Sequence, residues 1–243
     1  MNTDHLFHAL GVHRAGVLGA ALLTIGAGLL TPPAAASAQP CPDVEVVFAR
    51  GTDEPPGIGG VGQAFVDALR TDAGGRSVAV YPVDYPASSN FGSGIDFART
   101  VVDGISDAAT HIESTAANCP NTKMVLGGFS QGAVVTGFVT SPSVPQEVPA
   151  EFVPYLPQPM PAEVANHVAA VALFGLPSQQ FLGQYGAPPV TIGPLYTPKT
   201  IKLCAPDDTI CNGAPAGPPN IAHIGYPMNG MVGQAADFAV QRI

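Results

Sequence analysis

Five short runs of nearly uninterrupted apolar residues constrain the fold of this chain more than any other feature. They are Val44–Ala49, Val78–Tyr81, Lys123–Leu126, Val168–Phe174 and Thr200–Leu203. Continuous rather than alternating apolarity indicates strands buried on both faces, as in a parallel sheet covered by helices. Helical patterns separate most of these runs, and this alternation predicts an α/β fold with a doubly wound sheet.

Four further segments carry a helical pattern. The first repeats Val61, Phe65 and Leu69 at helical spacing and is followed by Gly74-Gly75, a helix-ending signal. The others are the apolar stripe Ile95, Ala98, Val102, Ile105, Ala109 and Ile112, the segment Gln131–Val139 and the segment Met231–Arg242. The proline-rich segment Pro142–Pro161 has little periodicity, and it is predicted to be a loop on the surface.

The composition limits the possible partners. Hydrophobic residues make up 46% and charged residues 11% of the 243 residues, which is enough apolar material for a sizeable core and argues against disorder. The formal net charge of -9 disfavours nucleic acid and anionic membrane surfaces, since both repel an acidic protein. One domain is expected, acting on neutral or cationic substrates.

The first 38 residues have the layout of a secretory signal peptide. Basic and histidine residues precede the apolar run Ala15–Leu30, and Ala36-Ser37-Ala38 forms a small-x-small cleavage site. Cleavage after Ala38 would leave a mature domain over residues 39–243 that does not insert stably into a membrane. The alternative is a retained N-terminal anchor. The sequence therefore predicts export, and it leaves open whether the protein is released or stays at the cell wall.

Four cysteines, Cys41, Cys119, Cys204 and Cys211, remain after this cleavage. Export favours two disulfides, and three pairings are possible. Cys204–Cys211 and Cys41–Cys119 are favoured, because the first closes a local loop and the second ties the mature N-terminus to the domain. A metal site is not expected, since the sequence has no C-x-x-C motif and no nearby histidine pair.

The motif G-x-S-x-G spans Gly128 to Gly132, with Ser130 at its centre. A predicted strand precedes it and a helical pattern follows it, which is the strand–turn–helix context of a nucleophile elbow. The glycines allow a turn too tight for side chains, and the start of the following helix would stabilise a developing anion. Ser130 is therefore the candidate nucleophile, and an incidental serine in a glycine-rich turn is the alternative.

A serine nucleophile needs a general base, and the predicted mature chain offers three histidines. In α/β hydrolases the chain order is serine, then acid, then histidine. His223 fits that order, because it lies downstream of a plausible acid. His111 precedes Ser130, and His167 begins a predicted strand, so both are expected to be solvated or helix-end histidines.

The acid that orients the histidine is predicted within the loop between Cys204 and Cys211. Glu147 and Glu163 lie in or beside the proline-rich segment and are expected to be solvated. Asp207 and Asp208 follow a predicted strand, where an acid loop belongs. The residues themselves do not distinguish these two aspartates.

Together these motifs resemble the cutinase family, and most closely its actinobacterial (mycobacterial-type) branch of secreted cutinase-like esterases. The resemblance extends from Cys41 to the C-terminus. It rests on Phe48-Ala49-Arg50-Gly51-Thr52, on Cys119-Pro120, on Gly127 through Ala133 around the serine, and on the Cys204–Cys211 loop followed by a histidine.

The resemblance implies a small α/β hydrolase with a five-stranded parallel sheet flanked by helices and no large lid. It selects Asp208 as the acid and His223 as the base, and it implies the same two disulfides. Backbone amides of Thr52 and Gln131 would form the oxyanion hole, and no cofactor is implied. Two departures are Thr52, where fungal cutinases have serine, and the long proline-rich segment Pro142–Pro161.

The sequence thus predicts a secreted serine carboxylesterase, a monomer that hydrolyses short- to medium-chain carboxylic esters through an acyl-enzyme. Small-molecule, lipid or polyester esters would all suit the same triad. One alternative is a lipase or phospholipase that acts on longer chains. Another is a non-catalytic secreted binding protein on a hydrolase scaffold.

Overall fold

A computed structural model describes residues 40–215 and 217–243 of the chain. The signal peptide predicted over residues 1–38 lies outside the described residues. No helix within the described ranges is both long enough and apolar enough to cross a bilayer.

The five predicted strands form one parallel sheet. They are β1 (Val44–Ala49), β2 (Val78–Pro82), β3 (Lys123–Phe129), β4 (Val168–Phe174) and β5 (Thr200–Leu203), in the spatial order β2-β1-β3-β4-β5. All four pairings between neighbouring strands are parallel. The predicted fold class is therefore confirmed, and β3 extends to the residue before Ser130.

Helices cover both faces of this sheet. They are α1 (Gly59–Asp72), α2 (Ile95–Asn118), α3 (Gln131–Val139), α4 (Gln179–Gln184), α5 (Ile221–Ile224) and α6 (Met231–Val240). On one face, Phe65 of α1 and Ala236 of α6 pack in a core with Phe48 and Phe174 of the sheet. On the other face α2 and α3 cover a second core. Burial of both faces explains why the strand sequences are continuously apolar.

Two features of the helices were not evident from periodicity. Helices α4 and α5 are only six and four residues long, too short for a periodic pattern. Each begins at a capping side chain: Ser178 Oγ accepts a hydrogen bond from the Phe181 amide, and Asn220 Oδ1 accepts one from the His223 amide. These caps fix short helices that local propensity alone would not hold.

Both predicted disulfides are present. Cys41–Cys119 ties the segment before β1 to the residue that follows α2, and Cys204–Cys211 closes the loop after β5. Within the described part of the chain, no three histidine, cysteine or acidic side chains cluster as metal ligands.

Candidate active site

Ser130 lies at the turn between β3 and α3, at the carboxyl edge of the sheet. Its backbone has φ 54° and ψ -117°, a left-handed conformation that is strained for a residue with a side chain. The Ser130 amide donates a hydrogen bond of 2.9 Å to the carbonyl oxygen of Phe174 at the end of β4. The neighbouring strand therefore helps to hold the strained turn.

The flanking glycines are required by close backbone approach. A Cβ atom on Gly128 would lie 2.2 Å from the Gly132 carbonyl oxygen, and one on Gly132 would lie 2.0 Å from the Ala49 carbonyl oxygen. These distances are far inside van der Waals contact, and backbone atoms cannot easily yield. The turn is as tight as the motif predicted.

The structure brings the predicted histidine to the predicted serine. His223 lies in α5, with only 3% of its surface exposed, and its Nε2 is 2.9 Å from Ser130 Oγ. The other two histidines of the described residues lie elsewhere: His111 pairs with Glu45, and His167 lies beside the Pro120 carbonyl oxygen. His167 ends the short 3-10 helix Ala162–His167, in keeping with a helix-end position. His111 is instead within α2 and only 24% exposed, because it packs against Glu45.

Asp208 lies against the other side of the His223 ring, whereas Asp207 is exposed. His223 Nδ1 is 2.9 Å from Asp208 Oδ1 and 2.8 Å from Oδ2, so a protonated Nδ1 donates to the carboxylate. Burial of Asp208 opposes its ionisation. Hydrogen bonds from His223, Tyr226 and the Ile210 amide outweigh that effect and hold the pKa of Asp208 below its ordinary value.

Tyr226 is a part of this site that the sequence analysis missed. Its ring is fully buried, and its hydroxyl donates a 2.7 Å hydrogen bond to Asp208 Oδ2 while accepting one of 3.1 Å from the Ala205 amide. Burial, together with the adjacent carboxylate, raises the pKa of Tyr226. Tyr226 thus orients Asp208. Its only sequence signal is an aromatic residue three positions after His223, which no pattern distinguishes from a core residue.

The two predicted oxyanion-hole residues border the same cleft as Ser130. Thr52 follows the end of β1, and Gln131 is the first residue of α3. Among the described residues, neither backbone amide donates to a protein acceptor. The Gln131 side chain makes a separate contact, because its Nε2 donates a 2.9 Å hydrogen bond to the Ser88 carbonyl oxygen.

A large apolar cleft of about 1460 Å³ opens beside Ser130 and His223. One wall is formed by α2 and α3, and another by residues of the proline-rich segment Pro142–Pro161. That segment therefore borders the cleft in which the serine lies.

Residues 40–243 match the model of the cutinase family. The chain belongs to the cutinase family. The predicted resemblance is confirmed over the whole domain, and membership makes the chain a serine ester hydrolase.

Similar proteins include members of this family with ester-hydrolase names. The chain is 58% identical over 173 residues to a "Probable carboxylesterase Culp7" of Mycobacterium tuberculosis, which covers 71% of this chain and 89% of that protein. It is 44% identical over 214 residues to a "Phospholipase Culp4" of the same species, covering 88% and 83% respectively. Among solved structures, a Trichoderma reesei cutinase in complex with a C11Y4 phosphonate inhibitor aligns with TM-score 0.61 and 33% identity, covering 83% of this chain and 77% of that one.

In this cutinase-family chain, Glu54 fixes the turn that contains Thr52. Glu54 Oε2 accepts a 2.6 Å hydrogen bond from the Gly51 amide, and Oε1 accepts one of 2.7 Å from the Gly60 amide. A Cβ atom on Gly59 would lie 2.1 Å from the Glu54 carboxylate, so glycine is needed there to make room. One carboxylate thus joins the end of the Thr52 turn to the start of α1.

Arg50 holds the same turn from its other side. Its Nε donates to the Glu54 carbonyl oxygen at 2.7 Å and its Nη2 to the Tyr85 carbonyl oxygen at 2.5 Å. The Tyr85 hydroxyl donates in return to the Arg50 carbonyl oxygen. These bonds are largely buried, so the turn is rigid before any substrate arrives.

Replacing Glu54 should therefore impair the predicted oxyanion hole without touching Ser130, the predicted nucleophile. Loss of one oxyanion donor costs about 10²–10³-fold in kcat, so misplacement of the Thr52 amide in Glu54→Ala should cost about 10–100-fold. KM for p-nitrophenyl butyrate should change much less, because the ground-state ester does not depend on that donor. Asp72→Asn, an exposed charge at the end of α1, is the control. An unchanged kcat in folded Glu54→Ala would contradict this role.

Proposed function

We propose that this chain hydrolyses carboxylic esters with Ser130 as nucleophile, His223 as general base and Asp208 as the acid that orients the base. The observation that carries this proposal is the continuous hydrogen-bonded chain from Ser130 Oγ through both ring nitrogens of His223 to Asp208. A serine in a strained elbow, a buried imidazole and a buried carboxylate in this order form the arrangement of serine hydrolases.

In the first half-reaction, Ser130 Oγ bonds to the ester carbonyl carbon as its proton passes to His223 Nε2. The carbonyl oxygen becomes an anion, which the backbone amides of Thr52 and Gln131 bind in this proposal. Collapse of this intermediate breaks the bond to the alcohol oxygen, and the alcohol takes the proton from His223. The products are the free alcohol and an ester of Ser130.

In the second half-reaction, water replaces the alcohol. His223 removes a proton from the water as its oxygen attacks the acyl carbon, and then returns a proton to Ser130 Oγ as the carboxylic acid leaves. Asp208 stays ionised throughout and stabilises the imidazolium, which its lowered pKa supports. No step draws on a metal or a cofactor.

We also propose that the protein acts outside the cytoplasm. The signal-peptide pattern of residues 1–38 and the two disulfides support export. For the acyl group, the sequence predicted short to medium chains because no large lid was expected. The large apolar cleft beside Ser130 favours the alternative of longer chains.

Covalent labelling tests the nucleophile directly and separates an enzyme from a binding protein on a hydrolase scaffold. We expect a fluorophosphonate probe to modify the mature protein once, with the adduct mapped by mass spectrometry to the peptide that contains Ser130. Ser130→Ala should remain unlabelled. A stable protein that resists the probe, or an adduct on another serine, would contradict the proposal.

A further inference from the structure

The apolar stripe of α2 lies partly in the core and partly in the open cleft. Its C-terminal part is buried against the sheet, where Ala108 is 3% and Ile112 is 1% exposed. Towards the N-terminus, Ile95 is 42% exposed, and Ala98 is also exposed. These residues do not lie under the sheet but line the cleft beside Ser130. A single amphipathic face thus continues from the core into an open apolar wall.

The proline-rich segment Pro142–Pro161 supplies further lining of the same cleft. Its apolar side chains that border the cleft include Val144, Val148, Phe152, Leu156 and Met160. Its amides bond locally, as when the Phe152 amide donates to the Pro149 carbonyl oxygen and the Leu156 amide to the Val153 carbonyl oxygen. Prolines have no amide hydrogen to donate. The uncharged polar side chains of this segment at the cleft are Ser143, Tyr155 and Gln158, so this lining offers a ligand mainly apolar contact.

The size and charge of the cleft indicate what kind of group fits it. Lining positions on α2 extend from Ile95 to Ala109, a distance of about 21 Å at 1.5 Å per residue. Apart from His223, the charged residues that border the cleft are Asp53, Glu54, Arg99 and Glu147. Arg99 is already paired with Asp96 at 3.0 Å on the exposed surface. A long, apolar, sparsely charged channel suits a group that needs burial but no polar partner.

We propose that this cleft binds a long acyl chain of the ester, laid along α2, with the segment Pro142–Pro161 as its outer wall. The chain starts at the carbonyl carbon beside Ser130, so this proposal rests on the proposed function. It identifies Val102 of α2 and Phe152 of the proline-rich segment, which both line the cleft, as residues that determine which acyl lengths are accepted. Each buried methylene group contributes enough to improve binding by about fourfold.

Binding can be measured without catalysis because the chain has no tryptophan. Phe152→Trp in the Ser130→Ala background places a single fluorophore on the cleft wall. We expect palmitic acid to shift its emission to the blue in a saturable way, and butyric acid to shift it little. Leu195→Trp, half-exposed and away from the cleft, is the control and should not respond. Equal responses of the two reporters, or none at Phe152→Trp, would overturn the proposal.

Blocking the cleft tests the same site through turnover. Val102→Phe should lower kcat/KM for p-nitrophenyl palmitate at least tenfold more than kcat/KM for p-nitrophenyl butyrate, since burial of several methylene groups is lost only for the longer chain. Ser106→Phe, exposed on α2 outside the cleft lining, is the matched control. Equal loss on both esters, or loss on neither, would contradict an acyl site along α2.

The two proposals fail in different ways. If Ser130→Ala retained turnover, the proposed function would fail, whatever the tryptophan reporter showed. If Ser130→Ala were inactive but Phe152→Trp and Val102→Phe showed no dependence on chain length, only the acyl site would fail.

Discussion

Replacing Ser130 by alanine should lower kcat for p-nitrophenyl butyrate by about 10⁶-fold, the loss typical when a triad serine is removed. The reason is that the proposed mechanism forms its covalent bond to the substrate at Ser130 Oγ, and among the described residues no other hydroxyl lies within hydrogen-bonding distance of His223 Nε2. Some catalysis above the rate in water should persist, because the oxyanion amides and the cleft remain.

This variant should fold normally, which makes the comparison clean. The side chain of Ser130 contacts its partner only through one hydrogen bond to His223, and the backbone bond from its amide to Phe174 is unaffected. Ser143→Ala, an exposed serine on the rim of the same cleft, is the control and should keep full activity. Retention of more than a tenth of wild-type kcat by Ser130→Ala would exclude Ser130 as the nucleophile.

The second large effect is expected at Asp208. Asp208→Asn should lower kcat by about 10⁴-fold, because an amide can favour the wrong histidine tautomer and cannot stabilise the imidazolium. Asp207→Asn should change kcat by less than about twofold, since Asp207 is exposed and only its backbone carbonyl is engaged, by Asn220 Nδ2. The two variants remove the same charge at adjacent positions, so each is a control for the other. The reverse result would move the acid to Asp207.

The carboxylate of Asp208 should also make the free energy of unfolding depend on pH in the acid range. Its pKa is lowered from the ordinary value of 3.8, so its ionised form stabilises the fold at and above that pH. The stabilisation should be lost as the pH falls through the lowered pKa of the folded state. Urea unfolding of the wild type between neutral pH and strong acid should show this loss, and Asp208→Asn should lack that component.

Much of the fold could be predicted because buried strands and helix faces must be built from apolar residues. Strands such as β4 (Val168–Phe174) are covered on both faces and must therefore be apolar at every position. The tight turn around Ser130 could also be predicted, because backbone atoms approach Gly128 and Gly132 so closely that only glycine fits at these positions. In both cases a single physical requirement, burial or close backbone approach, determines the residue type at each position.

The choice between Asp207 and Asp208 is of another kind. Both follow the same strand and lie in the same disulfide loop, so no local pattern separates them. The difference arises from contacts with His223 and Tyr226, 15 and 18 residues further along the chain. Tyr226 was missed for the same reason, because a buried tyrosine looks alike in sequence whether its hydroxyl serves the core or the active site.

Helix α2 shows a third limit. A repeat of apolar residues from Ile95 to Ile112 reports that one face avoids water, but not what covers it. In the structure the sheet covers Ile112, whereas Ile95 stands 42% exposed at the cleft. Periodicity could not distinguish the part of this helix face that packs in the core from the part that lines the open cleft.

The disulfide between Cys204 and Cys211 encloses Asp208, and within this loop the Ile210 amide donates a 3.0 Å hydrogen bond to that carboxylate. A bond of this kind persists in oxidising surroundings and is rare where thiols are kept reduced. A chain still in a reducing compartment therefore has its acid on an unclosed loop. The redox state of the surroundings thus decides whether Asp208 lies on a covalently closed loop or on one held by hydrogen bonds and packing alone.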